Sequence, residues 1–334
     1  MNLSEIANVY NSHPYVSAVS ALLEKEKSAD ILLSGLHGSG TAVVTASVFG
    51  KREGGILCML NDLEDAGYFY NDLMQLMNGE KVFFFPSAYH RHIKYGHTDP
   101  ASEILRTETL SLLQDENPSF ILVTYPDAVA EKVLSREVLK DNTLTIHTGE
   151  KIDPLFVSEV LDSYGFEQTD YVYEPGQYAI RGSIIDIFSY SNEYPFRIDF
   201  FGDEIETIRR FDVETQLSIN KTEEVHVIPK MSKQDASDAS ILDLLPDDTT
   251  LLVQDLEWCN ERIESLWNEN PVNRDEEGFE DREAMRKVII TKDRFIDSTS
   301  HLKKILLRSN DPNSDINTYK IQFDSSPQPL YQKN

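Results

Sequence analysis

Apolar residues recur along this chain in two rhythms. Up to about residue 142, short apolar runs alternate with longer segments of helical spacing. Segments 29–33, 55–60, 82–85 and 119–124 read as buried strands, because their apolar residues are nearly continuous instead of alternating. Between them, 16–23, 62–77, 101–113 and 127–139 read as helices; Leu63, Phe69, Leu73 and Leu76 show the spacing in the second. A helix is also expected from the Gly-rich stretch at 34–42 to about Phe49. Strands alternating with helices predict a parallel sheet covered on both faces. From Thr143 the rhythm changes: a strand at 143–147, a helix at 155–164, then strands crowded between Tyr171 and Ile228. The first rhythm returns with a strand at 250–253 and a helix at 256–267. A helix over 295–307 and a short strand at 319–323 follow. The predicted fold is therefore α/β: a parallel-sheet, P-loop-like domain interrupted by a small α+β module. Its expected parts are 1–142, the module 143–230, and 231–334 returning to the first domain, with polar linkers at 231–240 and 268–283.

The most regular pattern lies at 196–201, where Phe196, Ile198 and Phe200 alternate with Arg197, Asp199 and Phe201. One face of this strand is apolar. The other mixes charge with an aromatic ring, and an antiparallel neighbour would bring Arg181 onto the same surface. Gly202-Asp203 is a two-residue hairpin turn leading into the next strand. Two readings fit the mixed face. An aromatic beside arginines, outside the core, is the composition of a protein-binding hot spot. Alternatively Asp186 and Asp199 pair the arginines and a helix covers Phe201.

Composition narrows the partner. Of 334 residues, 57 are acidic and 31 basic, a formal net charge of −26. Such a field repels phosphate backbones, so little direct nucleic-acid binding is expected and a protein partner is favoured. The 40% hydrophobic content supplies real cores. Cys58 and Cys259 are the only cysteines, which predicts buried thiols and no disulfide framework. No apolar run reaches the length of a membrane span and no signal-like start is present, so no membrane association and a cytoplasmic protein are expected.

The turn at 34–42 has the placement of a phosphate-binding loop, strand before and helix after. Gly35 and Gly40 match its two glycines, but Thr41 stands at the lysine position and Ala42 at the hydroxyl position. Without that lysine and hydroxyl, the β/γ-phosphate charge and Mg²⁺ have no side-chain ligands. The backbone amides alone retain at most a weak anion site. A tight turn is the expected role, with no cofactor and no catalytic residues. Asp255 follows a strand as a Walker-B acid would, but it precedes a helix without a second acid. His90, His92 and His97, near Asp99, read as a surface loop beside Arg91 and Lys94, and no metal site is expected.

GQYAIRGSIIDIF, PFRIDFFGDEIE and RRFDVETQLSI, falling in order between residues 176 and 219, resemble the second domain of the UvrB-homology region of the bacterial transcription-repair coupling factor (Mfd) family. The resemblance implies the N-terminal part of a much longer protein. It implies a UvrA-binding module whose two arginines and phenylalanine correspond by motif to Arg181, Arg197 and Phe201. It also implies a UvrB-like α/β domain that has lost its ATPase loop, with translocation on DNA and RNA polymerase contact residing in other domains. The family's larger sub-domain between module and returning strand has little room at 231–240. The alternative function is a weak nucleotide-binding or NTPase domain using the Gly35–Gly40 loop.

Overall fold

The computed structural model describes residues 9–25, 30–52, 54–88, 100–115, 117–190, 192, 194–228, 239–268, 286, 288–308 and 318–326. In chain order the strands are β1 (Asp30–Ser34), β2 (Gly55–Met59), β3 (Val82–Phe84), β4 (Phe120–Thr124), β5 (Lys132–Val133) and β6 (Leu144–His147). Then come β7 (Glu167–Gln168), β8 (Gln177–Arg181), β9 (Ile184–Phe188), β10 (Phe196–Phe201), β11 (Glu204–Phe211) and β12 (Ser218–Thr222). The last are β13 (Glu224–Val227), β14 (Ala239–Ser240), β15 (Thr250–Asp255), β16 (Lys303–Arg308) and β17 (Thr318–Gln322). They divide between two compact units, one of residues 1–87, 115–133 and 238–334, the other of 88–114 and 134–237. The second unit thus takes in more of the chain than the 143–230 expected.

In the first unit, seven described strands form one sheet in the order β17-β1-β16-β15-β2-β4-β3. Every pairing is parallel. The runs GILCM of β2 and FILVT of β4 are buried at every position. That is the expected composition of central parallel strands covered by helices on both faces. Asp62 starts the helix Leu63–Leu76 by accepting from the amide of Asp65.

Two sequence expectations fail here. The helix expected over 295–307 ends at Ser300, and Lys303–Arg308 is β16, paired with β1 and β15 in the interior of the sheet. Leu302, Ile305 and Leu306 fit helical spacing, yet a short apolar run fits a buried strand as well. The helix expected over 127–139 is broken into Pro126–Ala130, β5 and Arg136–Asp141. Ser135 caps the second piece, and β5 is extended because it pairs with β14. That pairing also places Ala239 and Ser240 in a strand, where a linker was expected.

In the second unit, six described strands form a mixed sheet in the order β12-β11-β10-β9-β8-β7, antiparallel except for β7 with β8. One face carries Tyr178, Ile185, Ile187, Phe196, Ile198, Phe200, Ile205 and Ile208. Against it pack Val157 and Leu161 of the helix Pro154–Ser163, and the β6–β13 pair through Ile146, Val225 and Val227. Ile205 and Ile208 are three apart and yet face the same side. A β-bulge opposite Asp199 and Phe200 absorbs the extra residue. Gly202, with φ +68, closes the β10–β11 hairpin.

Candidate functional site

Strand register assembles the mixed face of the six-stranded sheet. Ala179, Asp186, Arg197 and Arg209 lie side by side across β8, β9, β10 and β11. Arg181 is two residues along β8 from Ala179, so it stands diagonally across from Asp186. Phe201 ends β10 on the same face and is 80% exposed.

Asp186 is completely buried and holds both arginines. Arg197 Nε donates to its Oδ1 at 2.8 Å and Arg197 Nη2 to its Oδ2 at 2.9 Å, a bidentate pair. Arg181 Nη2 donates to the same Oδ2. Arg197 is anchored further: Nη1 and Nη2 donate to the carbonyl and side-chain oxygens of Gln216 at 3.3 and 3.1 Å, and its guanidinium lies 4.3 Å from the centre of the Phe211 ring. Only 15% of its side chain is exposed, and hydrogen bonding to Asp186 raises its pKa above the ordinary arginine value. Arg181 is more open, at 30%; it donates to the Asp170 carbonyl at 3.2 Å and covers the Tyr171 ring at 4.8 Å. An open pocket of about 640 Å³ adjoins it, lined by Gln168, Thr169, Asp170, Tyr171, Ile180 and Arg181.

The pairing expected for the arginines is met in part. Asp186 does pair the arginines, whereas Asp199 pairs Arg209 instead. Among the described residues no helix covers Phe201. The partners that sequence reasoning missed are Tyr171, Phe211 and Gln216. Gln216 reaches Arg197 from a tight turn in which Asp212 accepts from the amide and hydroxyl of Thr215, with Gln216 itself at φ +60. The adjoining sequence DVETQ signals a turn, but nothing in it says which side chain the turn serves.

The Gly-rich turn belongs to the first unit and is built differently. The helix Gly40–Phe49 starts there, and Ser39 makes no side-chain cap. After β17, the chain crosses the turn. The amide of Phe323 donates to the Ser34 carbonyl at 2.8 Å, Ser325 Oγ donates to the Gly35 carbonyl at 2.6 Å, and Ser325 Oγ lies 3.1 Å from His37 Nδ1. Beside the turn a groove of about 490 Å³ is lined by Ser39, Thr41, Asp65, Tyr68, Asp72 and Gln254, among others, with no lysine or arginine among the described residues that line it. Asp255 Oδ1 accepts from the amide of Trp258, which is a helix-capping role. Among the described residues no group of three or more His, Cys, Asp or Glu is placed to hold a metal, and no helix is long and apolar enough to cross a membrane. His90, His92, His97 and Asp99 lie outside the described residues.

Comparison with known proteins falls on the same sheet. The family model of the UvrB interaction domain matches residues 144–232. Residues 144–232 are thus similar to UvrB interaction domains. It is similar to the transcription-repair-coupling factors of Escherichia coli strain K12 (26% identical over 199 residues, 59% of this chain) and Bacillus subtilis strain 168 (29% over 223 residues, 66%). The transcription-repair-coupling factor of Staphylococcus aureus strain RF122 is 29% identical over 199 residues, 60% of this chain. The matches cover 17 to 18% of those relatives, so the shared stretch spans less than a fifth of their length.

Proposed function

We propose that this chain is a non-catalytic recruitment module of a transcription-repair coupling factor, and that it binds UvrA through Arg181, Arg197 and Phe201. One observation carries the reading: Phe201 stands 80% exposed on a face whose arginines are already ordered. A rigid aromatic anchor beside fixed cations loses little entropy on binding, which is how hot spots concentrate energy. The surplus of acidic residues argues against a nucleic-acid role for most of the remaining surface. In the cell the module would bring nucleotide excision repair to RNA polymerase stalled at a lesion. Polymerase contact and ATP-driven translocation would reside in parts of the longer protein outside this chain, and the setting would be the cytoplasm.

The competing reading is a weak NTPase at the Gly35–Gly40 turn. Acidic Asp65 and Asp72 along the groove, Thr41 in place of lysine and the chain crossing at Phe323–Ser325 all weigh against a bound polyphosphate. Two measurements separate the readings. Immobilised UvrA should capture the wild-type chain and lose Arg181→Ala and Phe201→Ala, both still folded by circular dichroism. A fluorescent ATP analogue should show no saturable binding. Full capture of both variants would overturn the assignment.

A further inference from the structure

Asp186 is a feature of the second unit that its apolar packing does not require. Its neighbours on the same face, Ala179, Phe188 and Phe211, pack with Val172 in a small apolar cluster. An apolar residue at 186 would extend that cluster at no desolvation cost. Instead a carboxylate with no exposed surface sits there, and both of its oxygens are occupied by arginine donors. Two guanidiniums against one carboxylate leave a net single positive charge on this cluster (2 − 1 = 1). That charge lies on the face that also carries Phe201, on a chain whose overall charge is strongly negative.

The two arginines are consequently not independent. Each is fixed from one side by its own support, Tyr171 and the Asp170 carbonyl for Arg181, Phe211 and Gln216 for Arg197. Among the described residues, Asp186 is the group that hydrogen-bonds to both. Ala179 leaves room for this, since it lies directly across from Asp186 and carries only a methyl group.

We propose that Asp186 is a positioning residue for partner binding: it never meets the partner, but locks Arg181 and Arg197 into one rigid cationic plate shaped for a partner carboxylate, on the face that also carries Phe201. The proposal rests on the UvrA reading above and adds what sets the geometry of that site. A partner acid meeting a preformed plate avoids ordering two long side chains on association.

The test is a double-mutant cycle on the whole chain, with UvrA affinity measured by calorimetry. Asp186→Asn should weaken binding about tenfold in the wild-type background, as loss of one well-ordered charged contact does. In the Arg181→Ala background it should weaken binding only about threefold or less, because half of what it positions is already gone. Equal losses in both backgrounds, or unchanged affinity in folded Asp186→Asn, would overturn the proposal. Should that variant not fold, the wild-type chain supplies the answer by ¹⁵N NMR of its arginine side chains. The Arg197 Nε–H must be protected from exchange before UvrA is added; exchange at the rate of a free arginine refutes pre-positioning. If Arg181→Ala and Phe201→Ala both keep full affinity while Arg197 is protected, the UvrA reading fails and the clamp at Asp186 stands as architecture alone.

Discussion

The backbone carbonyl of Phe323 occupies the space that a β-carbon on Gly35 would need. Gly35 has φ +74, so the backbone there is already one that side chains resist. The first glycine of the phosphate-loop pattern is thus accounted for by the passage of the chain after β17, without any ligand. Gly38, at φ +54, faces open space. Gly35→Ala should therefore lower stability by roughly 3 kcal/mol, combining left-handed strain with overpacking, and Gly38→Ala by about 1 kcal/mol from strain alone. Urea unfolding midpoints check the ordering, and equal midpoints would remove this explanation of Gly35.

Phe201 and Arg197 should separate binding from folding. Phe201→Ala removes a side chain that is mostly in water, so its thermal midpoint should match wild type while UvrA capture falls by about 2 kcal/mol or more. Arg197→Ala leaves the buried Asp186 carboxylate with Arg181 as its only arginine, which should destabilise the fold by about 3 kcal/mol. Calorimetric unfolding of the two variants beside a UvrA titration tests both halves. A Phe201→Ala variant that melts early would mean that the ring is doing structural work.

The parallel sheet was legible because β2 and β4 are unbroken apolar runs, and the module because Phe196, Ile198 and Phe200 alternate so cleanly. What escaped was decided by long-range pairing. Lys303–Arg308 is a strand because a gap between β1 and β15 awaits it, and β5 is extended because β14 lies beside it. Local spacing carries no record of either neighbour. Arg181, Arg197 and Phe201 were legible as residues of one face, since period two along each strand and antiparallel pairing suffice to place them. Their supports were not: Tyr171 and Gln216 come from loops, and Phe211 stands on a strand whose alternation is reset by the bulge opposite Asp199 and Phe200.

Both thiols should be inert in the native chain. Burial alone pushes Cys58 far above the usual thiol range, and burial with nearby Asp255 pushes Cys259 up to about 12. At about pH 8 neither forms a useful fraction of thiolate, and neither is reachable by reagent. Iodoacetamide followed by intact mass measurement should find no adduct on the folded chain and two after unfolding in guanidinium. A native adduct would show that one of these sites opens.

The alkaline limb of the stability curve should carry the mark of Tyr178. Its ring is buried in the core of the second unit, and its hydroxyl donates to Asp162 Oδ1 at 2.7 Å. Burial first, then the hydrogen bond to Asp162 and that carboxylate's charge, raise its pKa from 10.0 to about 12. A raised folded pKa means that between those values the unfolded chain has released a proton which the folded chain still holds. The stabilisation is thus complete below pH 10 and is lost as pH rises toward about 12. Tyr178→Phe lacks both the hydrogen bond, worth about 1 kcal/mol, and the titration. Wild type should be the more stable at neutral pH, and the gap should close as pH climbs through that window, other titrating groups cancelling in the difference. A gap that stays constant up to the top of the window would mean that the phenol ionises alike in both states.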